Sequence, residues 1–153
     1  RSMPNTPAAI GKGVTALYAG VAPRQVTALA GQLLAAIGDV VMLDDEGLMD
    51  AVTAVSGSGP AYVFLLAETM TAAGIEAGLP AALAKQLAEA TVAGAGALIA
   101  ESDEPPSQLR VNVTSKGGTT AAALAVLMAD DGMGPLLQRA IKAARDRSVE
   151  LGG

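Results

Sequence analysis

The residues with the most capacity for chemistry stand together at Thr114-Ser115-Lys116-Gly117-Gly118-Thr119-Thr120. Two adjacent glycines, two threonines and then the apolar run from Ala121 describe a turn that opens a helix. The first amides of a helix have no partners within it and lie at the positive end of its dipole. Such a turn therefore attracts a carboxylate or a phosphate. Lys116 adds a positive charge and Ser115 a hydroxyl donor. An ordinary capped helix accounts for the same residues, with either threonine as the cap. A second glycine-rich stretch is Ser56-Gly57-Ser58-Gly59-Pro60. It reads as a tight helix–helix turn with an N-cap, or as a backbone surface that lets a ligand or another subunit come close.

Much other chemistry is excluded by composition. The 153 residues include no Cys and no His. That removes thiolate chemistry, disulfides, a His-bearing triad and a His-ligated zinc site from this chain. Gly11-Lys12-Gly13-Val14-Thr15-Ala16 matches G-x-G-x-x-A, yet a dinucleotide-binding loop follows a strand and opens a helix, whereas this one precedes a strand. There is no Walker A loop and no G-x-S-x-G elbow. Asn112-Val113-Thr114 is a formal glycosylation sequon, read here as chance. Asp44-Asp45-Glu46 and Asp103-Glu104 read first as helix caps and solvated charge. A net charge of −5 and a pI of about 4.6 argue against nucleic acid or an anionic membrane as partner. The longest uncharged stretch, 51–67, is interrupted by the serine–glycine run and is too short to span a bilayer. The expectation is a cytoplasmic protein. Because the sequence opens at Arg1 and shows no natural start, it is also expected to be a fragment or an isolated domain.

The elements that must position these residues are mostly helical. Hydrophobic residues make up 51% of the chain but aromatics only 2%, so the core must come from small and aliphatic side chains in closely packed helices. Residues 1–13 read as loop. A strand is expected over 14–19, a helix over 23–38 with Pro23 in its first position and Gly38 as its stop, and a second strand over 40–43. Asp45 can cap a helix running to about Val55, and Ser58 and Pro60 open another that ends near Gly74 or Gly78. Pro80 starts a third, which carries Leu83, Leu87 and Leu98. Asp103-Glu104-Pro105-Pro106 breaks that pattern. Short helices follow over 108–113 and 119–128, and Gly132, Gly134 and Pro135 separate the last one. The composition shifts near residue 45, which is the expected domain boundary: 1–45, then 46–153.

Three segments together resemble the hallmark stretches of pyrroline-5-carboxylate reductases. They are Met3-Pro4-Asn5-Thr6-Pro7, Ser56-Gly57-Ser58-Gly59-Pro60-Ala61-Tyr62, and Asn112 through Thr120, with Leu109 upstream and Ala123-Leu124 downstream. Their order and spacing match, and the similarity runs from about Met3 to Leu151. Lys116 stands where many relatives have Pro, and Met128 where a polar residue is common. The resemblance implies a mainly α fold: a helical dimerisation domain preceded by the strand–helix–strand tail of a Rossmann-type α/β domain. It implies reduction of 1-pyrroline-5-carboxylate to L-proline with NADPH or NADH, which the missing N-terminal half would chiefly bind, so that this chain alone is inactive. It implies a homodimer, open to assembly into a larger oligomer, with Thr120 at the imine nitrogen. Ser115, Gly117, Gly118, Thr119 and Asp103 would line the substrate pocket, and Asn112 and Asn5 would face the cofactor. Two other readings are a non-enzymatic helical oligomerisation module and a relative of the hydroxyacid and 6-phosphogluconate dehydrogenases. Those enzymes rely on a Lys deep in the helical domain, whereas Lys85 sits on an exposed-looking turn after Pro80 with no obvious partner.

Overall fold

The computed structural model describes residues 1–152. The chain forms two compact units: Arg1–Tyr62 together with the residues from Gln138 onward, and Val63–Leu137.

The first unit holds a three-stranded sheet of β1 (Ser2–Met3), β2 (Gly13–Tyr18) and β3 (Gly38–Leu43), in that order. β1 pairs antiparallel to β2, with Ser2 opposite Leu17 and Met3 opposite Ala16. It lies in the segment expected to be loop, because two residues carry no periodicity and their partner comes much later in the chain. β2 and β3 run parallel from Gly13 opposite Gly38 to Tyr18 opposite Leu43. Both glycines at that first pair are sterically required. A Cβ on Gly38 would lie 1.9 Å from the Gly13 carbonyl oxygen, and one on Gly13 would lie 2.8 Å from Ala8 Cα. The crossover between the strands is helix α1 (Arg24–Leu34), tightened by a 3-10 turn at Ala35–Ile37. Pro23 is the N-cap, one position earlier than expected, with ψ at 145°. Thr15, Ala16 and Leu17 are buried in this sheet.

The chain then enters a 3-10 turn at Glu46–Leu48, with Asp45 Oδ1 accepting from the Gly47 amide at 2.8 Å as the capping residue should. Helix α2 (Met49–Val52) and helix α3 (Gly59–Glu76) follow, and the serine–glycine run does not break the chain between them. Residues Thr53–Gly57 wind as a π-helical turn, in which the Ser58 amide donates to the Thr53 carbonyl at 2.8 Å. Widening the turn frees the Ala54 carbonyl, which accepts from the Tyr62 hydroxyl at 3.0 Å. Pro60 has no N–H to give the Ser56 carbonyl four residues earlier. The Asn5 carboxamide donates to it instead, at 3.3 Å, while Asn5 Oδ1 accepts from the Val14 amide at 2.9 Å. Ala54 is wholly buried, and Met49 nearly so.

The last helix, α7 (Met133–Gly152), takes in Gly134 and Pro135, which the sequence places ahead of it. Proline is tolerated in a first turn, where its missing N–H has no partner to lose. Ser148 of α7 donates to Asp50 Oδ1 of α2 at 2.6 Å.

The second unit is helical. α3 turns into helix α4 (Ala81–Glu101) through Gly78, whose φ of +101° suits only glycine. The Leu79 amide closes that turn on the Gly74 carbonyl at 3.0 Å. Helix α5 (Pro106–Asn112) and helix α6 (Thr119–Leu127) complete the unit. Only Ala84 and Ala88 are buried here, while Phe64, Leu65, Leu98 and Ile99 are each more than half exposed. Among the described residues, no helix is long and apolar enough to cross a membrane.

Candidate functional site

The glycine turn between α5 and α6 is built locally. Thr114 follows α5, its hydroxyl donating to the Arg110 carbonyl at 2.6 Å and its amide to the Val111 carbonyl at 3.0 Å. The chain then reverses at Ser115–Gly118, where the Gly118 amide donates to the Ser115 carbonyl at 3.1 Å. Gly117, third in the turn, has φ +73°. A positive φ there is the demand of a type II turn, which also favours proline in the second position. Lys116 holds that second position, so the departure from Pro leaves the turn geometry intact.

The two glycines serve different ends. Among the described residues, nothing beyond its chain neighbours lies within 4 Å of a Cβ placed on Gly117, so its backbone angle alone requires glycine and the space beside it is open. A Cβ on Gly118 would meet the Ser115 hydroxyl at 2.3 Å. The Ser115 side chain therefore occupies the ground directly before the helix.

Gly118 is the N-cap of α6, and no side chain caps the helix. The first hydrogen bond of the ladder is Ala122 N–H to Gly118 O at 3.2 Å. The amides of Thr119, Thr120 and Ala121 precede it and so have no partner within the helix. Neither threonine caps, which sets aside the plainer reading of an ordinary capped helix. Both stand inside the first turn, Thr119 exposed and Thr120 half-buried. The result is an open helix N-terminus with the Ser115 and threonine hydroxyls close by in sequence, an arrangement that can bind a carboxylate.

The other expected residues are placed differently. Asn112, the last residue of α5, has both ends of its carboxamide engaged: Nδ2 donates to Glu104 Oε2 at 2.7 Å, and Oδ1 accepts from Gln108 Nε2 at 2.8 Å. Asp103 is exposed. Asn5 belongs to the first unit, where its carboxamide braces the π-turn and β2. Lys85, which the sequence leaves without an obvious partner, forms an exposed ion pair with Glu89 at 3.3 Å on α4. Sequence reading passed over Glu104, Gln108 and the Tyr62 hydroxyl. The spacing of 104, 108 and 112, four apart across the start and length of α5, is the signal that could have found the first two. Gly11-Lys12-Gly13 ends a 3-10 turn ahead of β2, and its glycines answer to Gly11's φ of +70° and to the contact of Gly13 with Ala8.

Residues 46–151 match the family model described as pyrroline-5-carboxylate reductase dimerisation. The chain is 50% identical to a pyrroline-5-carboxylate reductase of Synechocystis, over 99% of this chain and 57% of that protein. It is 48% identical to the Pseudomonas aeruginosa protein of the same name, over 99% of this chain and 55% of the relative. The solved structure of a pyrroline-5-carboxylate reductase from Coxiella burnetii superposes with a TM-score of 0.93 at 38% identity, over 99% of this chain and 56% of that one. A Plasmodium falciparum pyrroline carboxylate reductase with NADP bound superposes at 0.86 and 32% identity, over 99% of this chain and 62% of that one. The chain thus spans little more than half the length of the curated relatives it matches. With a family model matched over 46–151, relatives 50% and 48% identical across 99% of the chain and a shared fold, the chain belongs to the pyrroline-5-carboxylate reductase family.

Proposed function

We propose that this chain is the substrate-binding and pairing half of an enzyme that reduces 1-pyrroline-5-carboxylate to L-proline with NADPH or NADH. In that reaction a hydride adds to the imine carbon and the ring nitrogen ends protonated. The observation that carries the reading is the open N-terminus of α6 behind Gly117-Gly118, uncapped by any side chain and set in a member of this family.

The chain's own residues supply binding and orientation. The amides of Thr119, Thr120 and Ala121, with the Ser115 hydroxyl, hold the substrate carboxylate. The open space at Gly117 admits the ring, and Asp103 lines its approach. The Thr120 hydroxyl orients the imine nitrogen. A cyclic imine is readily protonated near neutral pH, so a chain without His or Cys is equipped for this role. The dinucleotide fits this chain poorly. Among the described residues, the glycine pair before a strand answers to Gly11's backbone angle and to Gly13's packing on Ala8, and the Asn5 and Asn112 carboxamides are bonded to protein partners. Its phosphates are assigned to the half of the relatives' length that this chain does not span. Residues 1–45 are assigned to the dinucleotide-binding domain and 46–153 to the pairing domain.

Pairing with a second copy follows from the apolar surface of α3 and α4. Phe64, Leu65, Leu98 and Ile99 are exposed, and among the described residues nothing beyond the adjoining backbone of α4 lies within 4 Å of a Cβ on Gly94 or Gly96. Surfaces of that kind are covered in an assembly. A cytoplasmic enzyme fits this reading. The test is NADPH oxidation with the cyclic imine. A chain that includes the dinucleotide-binding half should turn over, and the 153 residues alone should not. Turnover by the 153 residues alone would overturn the division of labour, and an inactive longer chain would overturn the function.

A further inference from the structure

We infer that Glu104 is a positioning residue for the glycine turn, acting through Asn112. The inference rests on the reading of that turn as the substrate site.

α5 has seven residues, too short to persist without ties at its ends. Its N-cap is Pro105, which offers no side-chain acceptor. Glu104 supplies a tie from outside the helix. Its own amide donates to the Ser102 hydroxyl at 3.1 Å, which steadies the residue. Its carboxylate then accepts from Asn112 Nδ2 at 2.7 Å, two helical turns further on, and Gln108 donates to Asn112 Oδ1 at 2.8 Å from between them. A carboxylate can only accept, so it dictates which end of the Asn112 amide faces it and leaves the oxygen for Gln108. The three side chains form one hydrogen-bonded stripe from the start of α5 to its last residue, with the negative charge at the helix N-terminal end, where the dipole favours it.

The glycine turn leaves α5 two residues after Asn112 and has little support of its own. Among the described residues, nothing beyond its chain neighbours lies within 4 Å of a Cβ on Gly117, and the turn is closed by the bond from Gly118 N–H to Ser115 O. Its position is therefore inherited from the end of α5 and the start of α6. Loosening Asn112 lets the last turn of α5 fray, and the amides and hydroxyl that meet the substrate carboxylate lose their fixed place.

Two measurements test this separately from the function. In the 153-residue chain, Glu104→Ala should speed hydrogen exchange of the amides in the last turn of α5 by about tenfold, the scale of one charge-assisted hydrogen bond, with α4 unchanged. Glu104→Gln, whose amide oxygen can still accept from Asn112, should restore most of the protection. In the longer enzyme, Glu104→Ala should raise KM for the imine about five- to tenfold with kcat little altered, since a misplaced binding turn weakens ground state and transition state alike. Unchanged exchange together with an unchanged KM overturns the inference. So does an equal loss in Glu104→Gln and Glu104→Ala, which would mean that charge rather than the bond to Asn112 matters. If the exchange result holds but the unsubstituted longer enzyme does not reduce the imine, the positioning stands and the proposed function falls.

Discussion

Replacing Thr120 by Ala should separate activity from stability. Thr120 occupies the first turn of α6 but is not its cap, because that place belongs to Gly118. The loss of about 1 kcal/mol that follows removal of a capping side chain is therefore not expected. Two smaller terms remain. Alanine is the better helix former by roughly 0.5 kcal/mol. A half-buried γ-methyl is lost, worth about half of the ~0.8 kcal/mol of a fully buried carbon. These offset one another, and Tm should move by no more than about 2 °C. The hydroxyl at the imine nitrogen is another matter. A contact made in the transition state, once removed, costs on the order of a hundredfold in kcat/KM, or about 2.7 kcal/mol. The assay is NADPH oxidation by the longer enzyme alongside thermal melts of the same preparations. Thr120→Ser should recover much of the rate, and Thr119→Ala, at the exposed neighbouring position, should cost less than about threefold. A Thr120→Ala enzyme that melts normally and keeps near-full activity would refute the assignment. One that melts far below the parent would show that the residue holds the fold instead.

Three further outcomes are expected. Gly94 has open space at its Cβ position beyond the helix's own backbone, and Gly94→Leu improves helix propensity by roughly 0.8 kcal/mol, so the chain should fold while sedimentation shows the dimer weakened; an unchanged dimer would place the interface elsewhere. Gly38→Ala sets a methyl against the Gly13 carbonyl at a backbone φ of +142°, and denaturant unfolding should show a loss of more than about 3 kcal/mol; a loss under ~1 kcal/mol would mean that the β2–β3 register can shift. Asp146 should titrate below the ordinary aspartate range, since the Lys142 ammonium and then the Arg145 guanidinium bond its carboxylate. A depressed value means that this small surface contribution is present above the unfolded-state pKa and disappears as pH falls through the folded-state one. Carboxyl-carbon NMR in Lys142→Met should show the titration moving back up, and no movement would discount the pair.

Local patterning determined most of the elements. The period of Val26, Leu29 and Leu33, with proline ahead and Gly38 behind, was enough for α1, because a crossover helix must present an apolar stripe and stop at a residue free to change direction. The paired glycines before Thr119 were enough for the turn and for α6, and Asp45 for the cap on the turn that follows it. The family was legible too, since three motifs in order carry more information than any one of them. Tertiary structure decided the rest. β1 exists only because β2 returns beside it, and two residues hold no signal of that. The serine–glycine run became a π-turn rather than a break because Tyr62 and Asn5 arrive to take the carbonyls it frees. Asn5 and Asn112 face the cofactor by resemblance, and their hydrogen bonds within the chain were not legible, because a free carboxamide and a committed one are spelled alike. Which of them has donors and acceptors left over depends on partners fixed by the fold, such as Val14, Ser56 and Glu104, and hydrogen-bonding capacity, unlike residue type, is known only once those partners are in place.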